Sequence, residues 1–129
     1  MRVAQEKVRQ FQEKYNFSRA DKPCIPTDEV VDFRLRLMFE ELNELEEALY
    51  AGDLVAVADG LADLTYTVLG TAVSCGLDLQ PVFDEVHASN MTKDPDPGNG
   101  KPAKGLDYQP PRIAAIVLQQ TLGDQLCQD

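Results

Sequence analysis

Between residues 28 and 75 apolar side chains recur at helical spacing, and only Ala51, Gly52 and Asp53 interrupt the pattern. At about 100° per residue, Leu35, Met38, Leu42, Leu45 and Leu49 fall on one stripe. Gly52 is a natural stop for the first of these helices, and Asp53 can cap the next. Two long helices joined by so short a turn are expected to lie antiparallel and in contact. No stretch alternates with a period of two, so the fold class expected is all-α.

The remaining segments agree. Val3, Val8, Phe11 and Tyr15 have helical spacing, and Pro23 and Pro26 then mark a loop. Thr27 or Asp28 can cap the second helix. The third reaches Cys75 and ends at Gly76, and Asp78 can cap a fourth running through His87 to Met91. Residues 93–111 are rich in Pro, Gly, Lys and Asp, which predicts an extended or mobile loop. Pro111 is placed to start a last helix. The expectation is a single domain over residues 1–129, with a four-helix core, a C-terminal loop and an extra helix.

Acidic residues set the functional question. Five glutamates stand between residues 40 and 47: Glu40, Glu41, Glu44, Glu46 and Glu47. Glu41 and Glu44 flank the apolar stripe, whereas Glu46 and Glu47 are expected on a solvated face, with Glu40 and Glu47 pointing away from the helix pair. The third helix is apolar nearly all round, as expected of a central, buried helix, yet Asp59 and Asp63 sit one turn apart in line with Tyr66 and Gly70. Unpaired buried carboxylates cost several kcal/mol even after relaxation. No Lys or Arg occurs between residues 37 and 92, and Arg34, Arg36 and Lys93 are too few to neutralise these acids. A divalent cation is the better balance. Oxygen ligands without His or Cys favour Mg²⁺, with Mn²⁺ as a substitute, over Zn²⁺.

The formal charge of −10 argues against a nucleic-acid partner, which needs basic patches. No apolar run approaches the roughly 20 residues of a membrane span, so no membrane partner is expected. The cysteines Cys24, Cys75 and Cys127 are odd in number and widely spaced, which fits reduced thiols in a cytoplasmic protein. Apolar residues on more than one face of the second and third helices predict a homodimer or a dimer of dimers.

Four ordered motifs carry a resemblance: "EELNE" at residues 40–44, "DGLAD" at 59–63, "SNMTK" at 89–93, and Lys104, Gly105, Tyr108 and Pro110 beyond them. Over residues from about 5 to 115 the chain resembles the all-α nucleoside triphosphate pyrophosphohydrolases. That superfamily includes the MazG proteins, the dimeric dUTPases and phosphoribosyl-ATP pyrophosphohydrolase. Its signature is E-E-x-x-E on one helix and E-x-x-D on the next. The first half matches, whereas Gly60 stands where the usual glutamate would be and Asp59 lies one residue earlier.

The resemblance implies Mg²⁺-dependent hydrolysis between the α- and β-phosphates of a nucleoside triphosphate, giving the monophosphate and pyrophosphate. It implies metal ligation by Glu41, Glu44 and Asp63, with Asp59 substituting for the missing glutamate. Glu40 and Glu44 are the catalytic carboxylates expected, Glu40 either adding a metal contact or acting as base. Lys93 is the natural phosphate contact, and Asn90 can bond sugar, base or phosphate. Arg34 is either a second phosphate contact or a salt-bridge partner of Glu41, and Lys104 and Tyr108 complete the expected substrate contacts. His87 and Tyr66 read as surface and packing residues. Two alternatives stay open: phosphoribosyl-ATP hydrolysis, favoured less than nucleotide-pool clean-up because "DGLAD" and "SNMTK" diverge, and a non-catalytic acidic bundle that binds a partner.

Overall fold

The computed structural model describes residues 1–123, so Cys127 lies outside the described residues. Five α-helices follow one another: α1 (Arg2–Lys14), α2 (Asp28–Ala51), α3 (Leu54–Ser74), α4 (Leu79–Asn90) and α5 (Ile113–Leu122). Among the described residues there is no strand, only an isolated bridge between Asp94 and Ala103. The chain is all-α. It divides into two compact units, Met1–Asp78 and Leu79–Asp129, each described by itself.

In the first unit α3 packs against both α2 and α1. The α2–α3 turn forms because Gly52 takes a left-handed φ of 68°, open to glycine without a Cβ penalty. The Asp53 carboxylate then accepts from the amides of Val55 (3.0 Å) and Ala56 (3.1 Å), satisfying donors that a helix start leaves free. At the other end of α3, Gly76 has φ 66°, and a Cβ there would collide with the Lys22 carbonyl. The connection from α1 to α2 is laced to this end: the amides of Ala20 and Cys24 donate to the carbonyls of Val73 (3.1 Å) and Cys75 (2.9 Å). Val8, Leu45, Ala48, Leu69, Ala72 and Val73 are the buried apolar residues.

Four expectations need correcting. On α2 only Leu45 of the expected core stripe is buried; Leu35, Leu42 and Leu49 remain 45%, 48% and 60% exposed. The reason is that α3 packs against the Leu45–Ala48 side and reaches half-buried Met38 through Thr71, while Leu35, Leu42 and Leu49 stay largely open to solvent. On α3 burial is confined to Gly60 and the C-terminal part, from Thr67 to Ser74, and Leu54, Val55 and Leu61 are exposed. This helix is also, by length and composition, apolar enough to cross a membrane, contrary to the run-length reading; here it packs on its neighbours. Thr27, though extended as an N-cap should be, makes no side-chain cap bond.

In the second unit α4 packs with α5. The last helix begins at Ile113, two residues after Pro111, because Glu85 takes the Arg112 amide (2.8 Å) and guanidinium Nε (3.3 Å). Within the intervening loop Asp96 accepts from the amides of Gly98, Asn99 and Gly100, closing a compact turn.

Candidate active site

Gly60 fixes how α2 and α3 meet. A Cβ on it would lie 3.3 Å from both Cα and Cβ of Leu45, closer than most real contacts, so the helices approach at a point with no room for a side chain. The acids stand along the edges of this contact. Glu44 and Glu47 from α2, and Asp59 and Asp63 from α3, line an open cleft of about 490 Å³ floored by small residues such as Ala48 and Ala56. Glu41 is half-buried nearby. Its carboxyl is pushed above the ordinary range, first by burial and then by the charges of Asp63, Glu44, Glu40 and Asp59. The charges of Glu40, Glu44, Asp59 and Asp63 thus all act on Glu41.

Little opposes that charge. Among the described residues the ion pairs are Arg2–Asp78, Arg9–Asp21, Arg36–Glu40 and Arg112–Glu85, so Glu40 alone of the cluster has a cation within reach, at 3.9 Å. The carboxylates also stand apart. Among the described residues no three Asp, Glu, His or Cys side chains converge as a ready ligand set. Mutual repulsion in an open cleft is sufficient cause for such spreading.

Asp59 and Asp63 are exposed, not buried as expected. The part of α3 that carries them lies outside its buried C-terminal stretch, so neither aspartate bears a large desolvation cost. The unbalanced charge around Glu41 remains. Glu47 is also misplaced by the sequence reading: it lines the cleft beside Glu44, whereas Glu46 faces a different pocket with Leu42, Leu49 and Tyr50.

Of its two expected roles, Arg34 does not take the salt bridge to Glu41. It is buried, donates from Nε to Ser74 Oγ (3.0 Å), and has no carboxylate within 4.0 Å among the described residues. Burial holds its guanidinium below the ordinary pKa. Gln12, passed over in the sequence, is the most buried large side chain and shares Ser74 with Arg34. Both line a pocket beside Glu41 with Phe11, Phe17, Phe33 and Tyr66. The only sequence signal for it was the aromatic content of α1 and the loop after it.

Within the second unit, Asn90 ends α4 and is exposed, and Lys93 is half-buried one turn on. Lys104 Nζ stands 5.2 Å from the centre of the Tyr108 ring, so these two expected substrate contacts meet. Ser89 and Thr92 hold the motif in place. Buried Ser89 donates to the Gln109 carbonyl (2.7 Å), and Thr92 Oγ1 donates to the Ser89 carbonyl (2.7 Å) while accepting from the Gln109 amide (2.9 Å). The "SNMTK" stretch thus splits into residues that anchor the later loop and residues that stay open to solvent.

Comparison with curated proteins finds no match. A family profile described as phosphoribosyl-ATP pyrophosphohydrolase matches residues 8–90, which contain the whole of α2, α3 and the acid cluster. The chain belongs to the phosphoribosyl-ATP pyrophosphohydrolase family and is a hydrolase acting on phosphoric anhydride bonds.

Proposed function

We propose that the protein is a metal-dependent nucleotide pyrophosphohydrolase that cleaves (d)NTPs between the α- and β-phosphates, in nucleotide-pool clean-up within the cytoplasm. What carries this reading is the set of acids around Glu41, whose pKa burial and their charges raise, and which cations leave almost unmatched. An oxygen-only donor set of this charge suits a hard divalent ion, so the residues fit Mg²⁺ or Mn²⁺. Glu41, Glu44, Asp59 and Asp63 would hold it, with Glu47 near enough to the cleft to assist. When bound, the ion offsets the triphosphate charge and lowers the pKa of water.

The chain's own side chains do the rest. Glu40, exposed on the same helix, takes the proton of the attacking water. Asn90, Lys93, Lys104 and Tyr108 bind the substrate's phosphate and sugar. The acid cleft repels a bare polyanion, so its carboxylates would need the ion's charge before a triphosphate could approach.

The family description favours a second substrate, phosphoribosyl-ATP, which contains the same anhydride. One assay separates the two: pyrophosphate release from a panel of NTPs, dNTPs and phosphoribosyl-ATP, each with Mg²⁺, with Mn²⁺ and with excess EDTA. Release that needs metal and prefers a (d)NTP is the expected result. Preference for phosphoribosyl-ATP would transfer the protein to the second reading, and full turnover in EDTA would remove the metal.

A further inference from the structure

A cavity of about 240 Å³ opens beside Glu41 in the first unit. Its aromatic walls are ordered by mutual contact: Phe11 stacks on Phe17 (6.1 Å) and meets Tyr66 edge-on (5.5 Å), and Phe17 stacks on Phe33 (5.8 Å). Phe11, Phe17 and Tyr66 nevertheless stay 38–41% exposed, leaving ring surface for a ligand.

Two polar groups line the same cavity at 1% and 6% exposure, Gln12 and Arg34. The orientation of the Gln12 amide is fixed by its neighbours. Nε2 lies 2.6 Å from the Ser18 carbonyl, which can only accept, so Oε1 must be the other end. Among the described residues Oε1 has no hydrogen-bond partner, and neither has Arg34 Nη2. Buried polar groups left unpaired are costly, and both of these belong to residues that line the one cavity. Gly70 keeps the place clear, since a Cβ there would come within 2.6 Å of Gln12 Oε1 and 2.9 Å of Arg34 Nη1.

The unpaired set is one acceptor and one donor. An anion would need donors only, and a metal ion acceptors only. A flat, neutral ring whose edge places a donor beside an acceptor satisfies both atoms and stacks on the aromatic walls, and nucleobases have that edge. We propose that this pocket receives the base of the nucleotide substrate, Gln12 Oε1 accepting from an amino or imino N–H and Arg34 Nη2 donating to the neighbouring ring nitrogen or carbonyl. Glu41 lines the pocket and belongs to the acid cluster, so the base lies on one side of it and the phosphates on the other. Arg34 is then a base-reading residue and not a phosphate contact. The identity of the ligand rests on the nucleotide reading above; the unpaired atoms do not.

The test uses the metal-free protein, where catalysis plays no part. Saturation-transfer NMR titrations with adenosine, cytidine, guanosine, uridine and thymidine are run beside ribose, which has no base. At least one nucleoside is expected to bind about tenfold or more tightly than ribose, a gap of about 1.4 kcal/mol. Phe33→Leu should reduce that gap by weakening the wall, and Gln12→Met should also flatten the preference among bases. If Gln12→Met does not fold, Phe33→Leu decides alone. Ribose binding as tightly as every nucleoside, or an unchanged preference in a Phe33→Leu protein with native circular dichroism, overturns the proposal. Nucleoside binding without any pyrophosphate release from wild type would instead leave the pocket standing and sink the catalytic reading.

Discussion

Glu41 is where sequence, charge and geometry meet most tightly, and its protonation gives a test that needs no substrate. Burial and four neighbouring carboxylates raise its pKa in the folded, metal-free chain. In that state the folded protein binds more protons than the unfolded one between the two pKa values, so stability from this group is present below the unfolded value and lost as pH rises through the folded one. Glu41→Gln should therefore raise the melting midpoint of metal-free protein at pH 7, and the gain should vanish as pH falls below about 4.5, an ordinary glutamate value. A gain independent of pH would mean the cluster does not load Glu41. The same substitution, or Glu44→Gln, should lower turnover by about 10²-fold or more, while Glu46→Gln, on a different pocket, changes it little. Asp63→Asn should leave the metal-free fold at least as stable, because the aspartate is exposed among like charges, yet abolish the rise in midpoint on adding Mg²⁺. An Asp63→Asn protein that still responds to Mg²⁺ would remove Asp63 from the ligand set. Spacing put Glu41 and Glu44 on one edge of α2, because i, i+3 positions on one helix share an edge; Asp63, on α3, was singled out by the family resemblance and by its place in an apolar helix. Gln12 and Arg34 were not legible as a pair, since Ser74, which both contact, lies 62 and 40 residues away in the chain.

At the scale of elements, Gly60 turns a departure from the family signature into a packing statement. The usual glutamate at this position would have to grow out of a backbone whose Cβ already meets Leu45 at 3.3 Å. Gly60→Ala gains about 1 kcal/mol of helix propensity, but the contact atom is backbone and yields poorly, and overpacking costs about 1–3 kcal/mol. Net destabilisation is expected, read as a lower urea midpoint, and Gly60→Glu should be worse and bring no tighter metal binding. A Gly60→Glu protein of wild-type stability would show that α2 and α3 part easily. Helix ends were readable because Gly52 and Gly76 have φ values that favour glycine, and Asp53 makes the cap its position predicts. The start of α5 was not, because Glu85, 27 residues upstream, captures the Arg112 amide. Which stripe of α2 is core was also unreadable. Periodicity reports that a face is apolar without saying whether this chain or another covers it.

For the whole molecule, that uncovered face is the main consequence of the fold. Leu35, Phe39, Leu42, Leu49 and Tyr50 are 45–86% exposed on α2, and Leu54 and Leu61 add 79% and 52% on α3. Scattered exposed leucines are ordinary, but on α2 these positions fall within about 100° of one another at 100° per residue, a contiguous apolar side. A second copy of the chain is the occupant expected from the apolar character of both helices, pairing the same face across a two-fold axis. Obligate homodimer interfaces are large and apolar, and the folded protomer depends on them. The measured mass in light scattering should therefore be that of a dimer or a multiple of it, and the melting midpoint should rise with protein concentration. Leu42→Lys combined with Leu49→Lys places two charges on the face and should yield a monomer whose lower midpoint no longer depends on concentration. These substitutions lie away from the acid cleft, so residual Mg²⁺ binding by the monomer would show that the cleft is complete in one chain. A wild-type protein that remains monomeric across the concentration range would leave this face without the partner proposed for it.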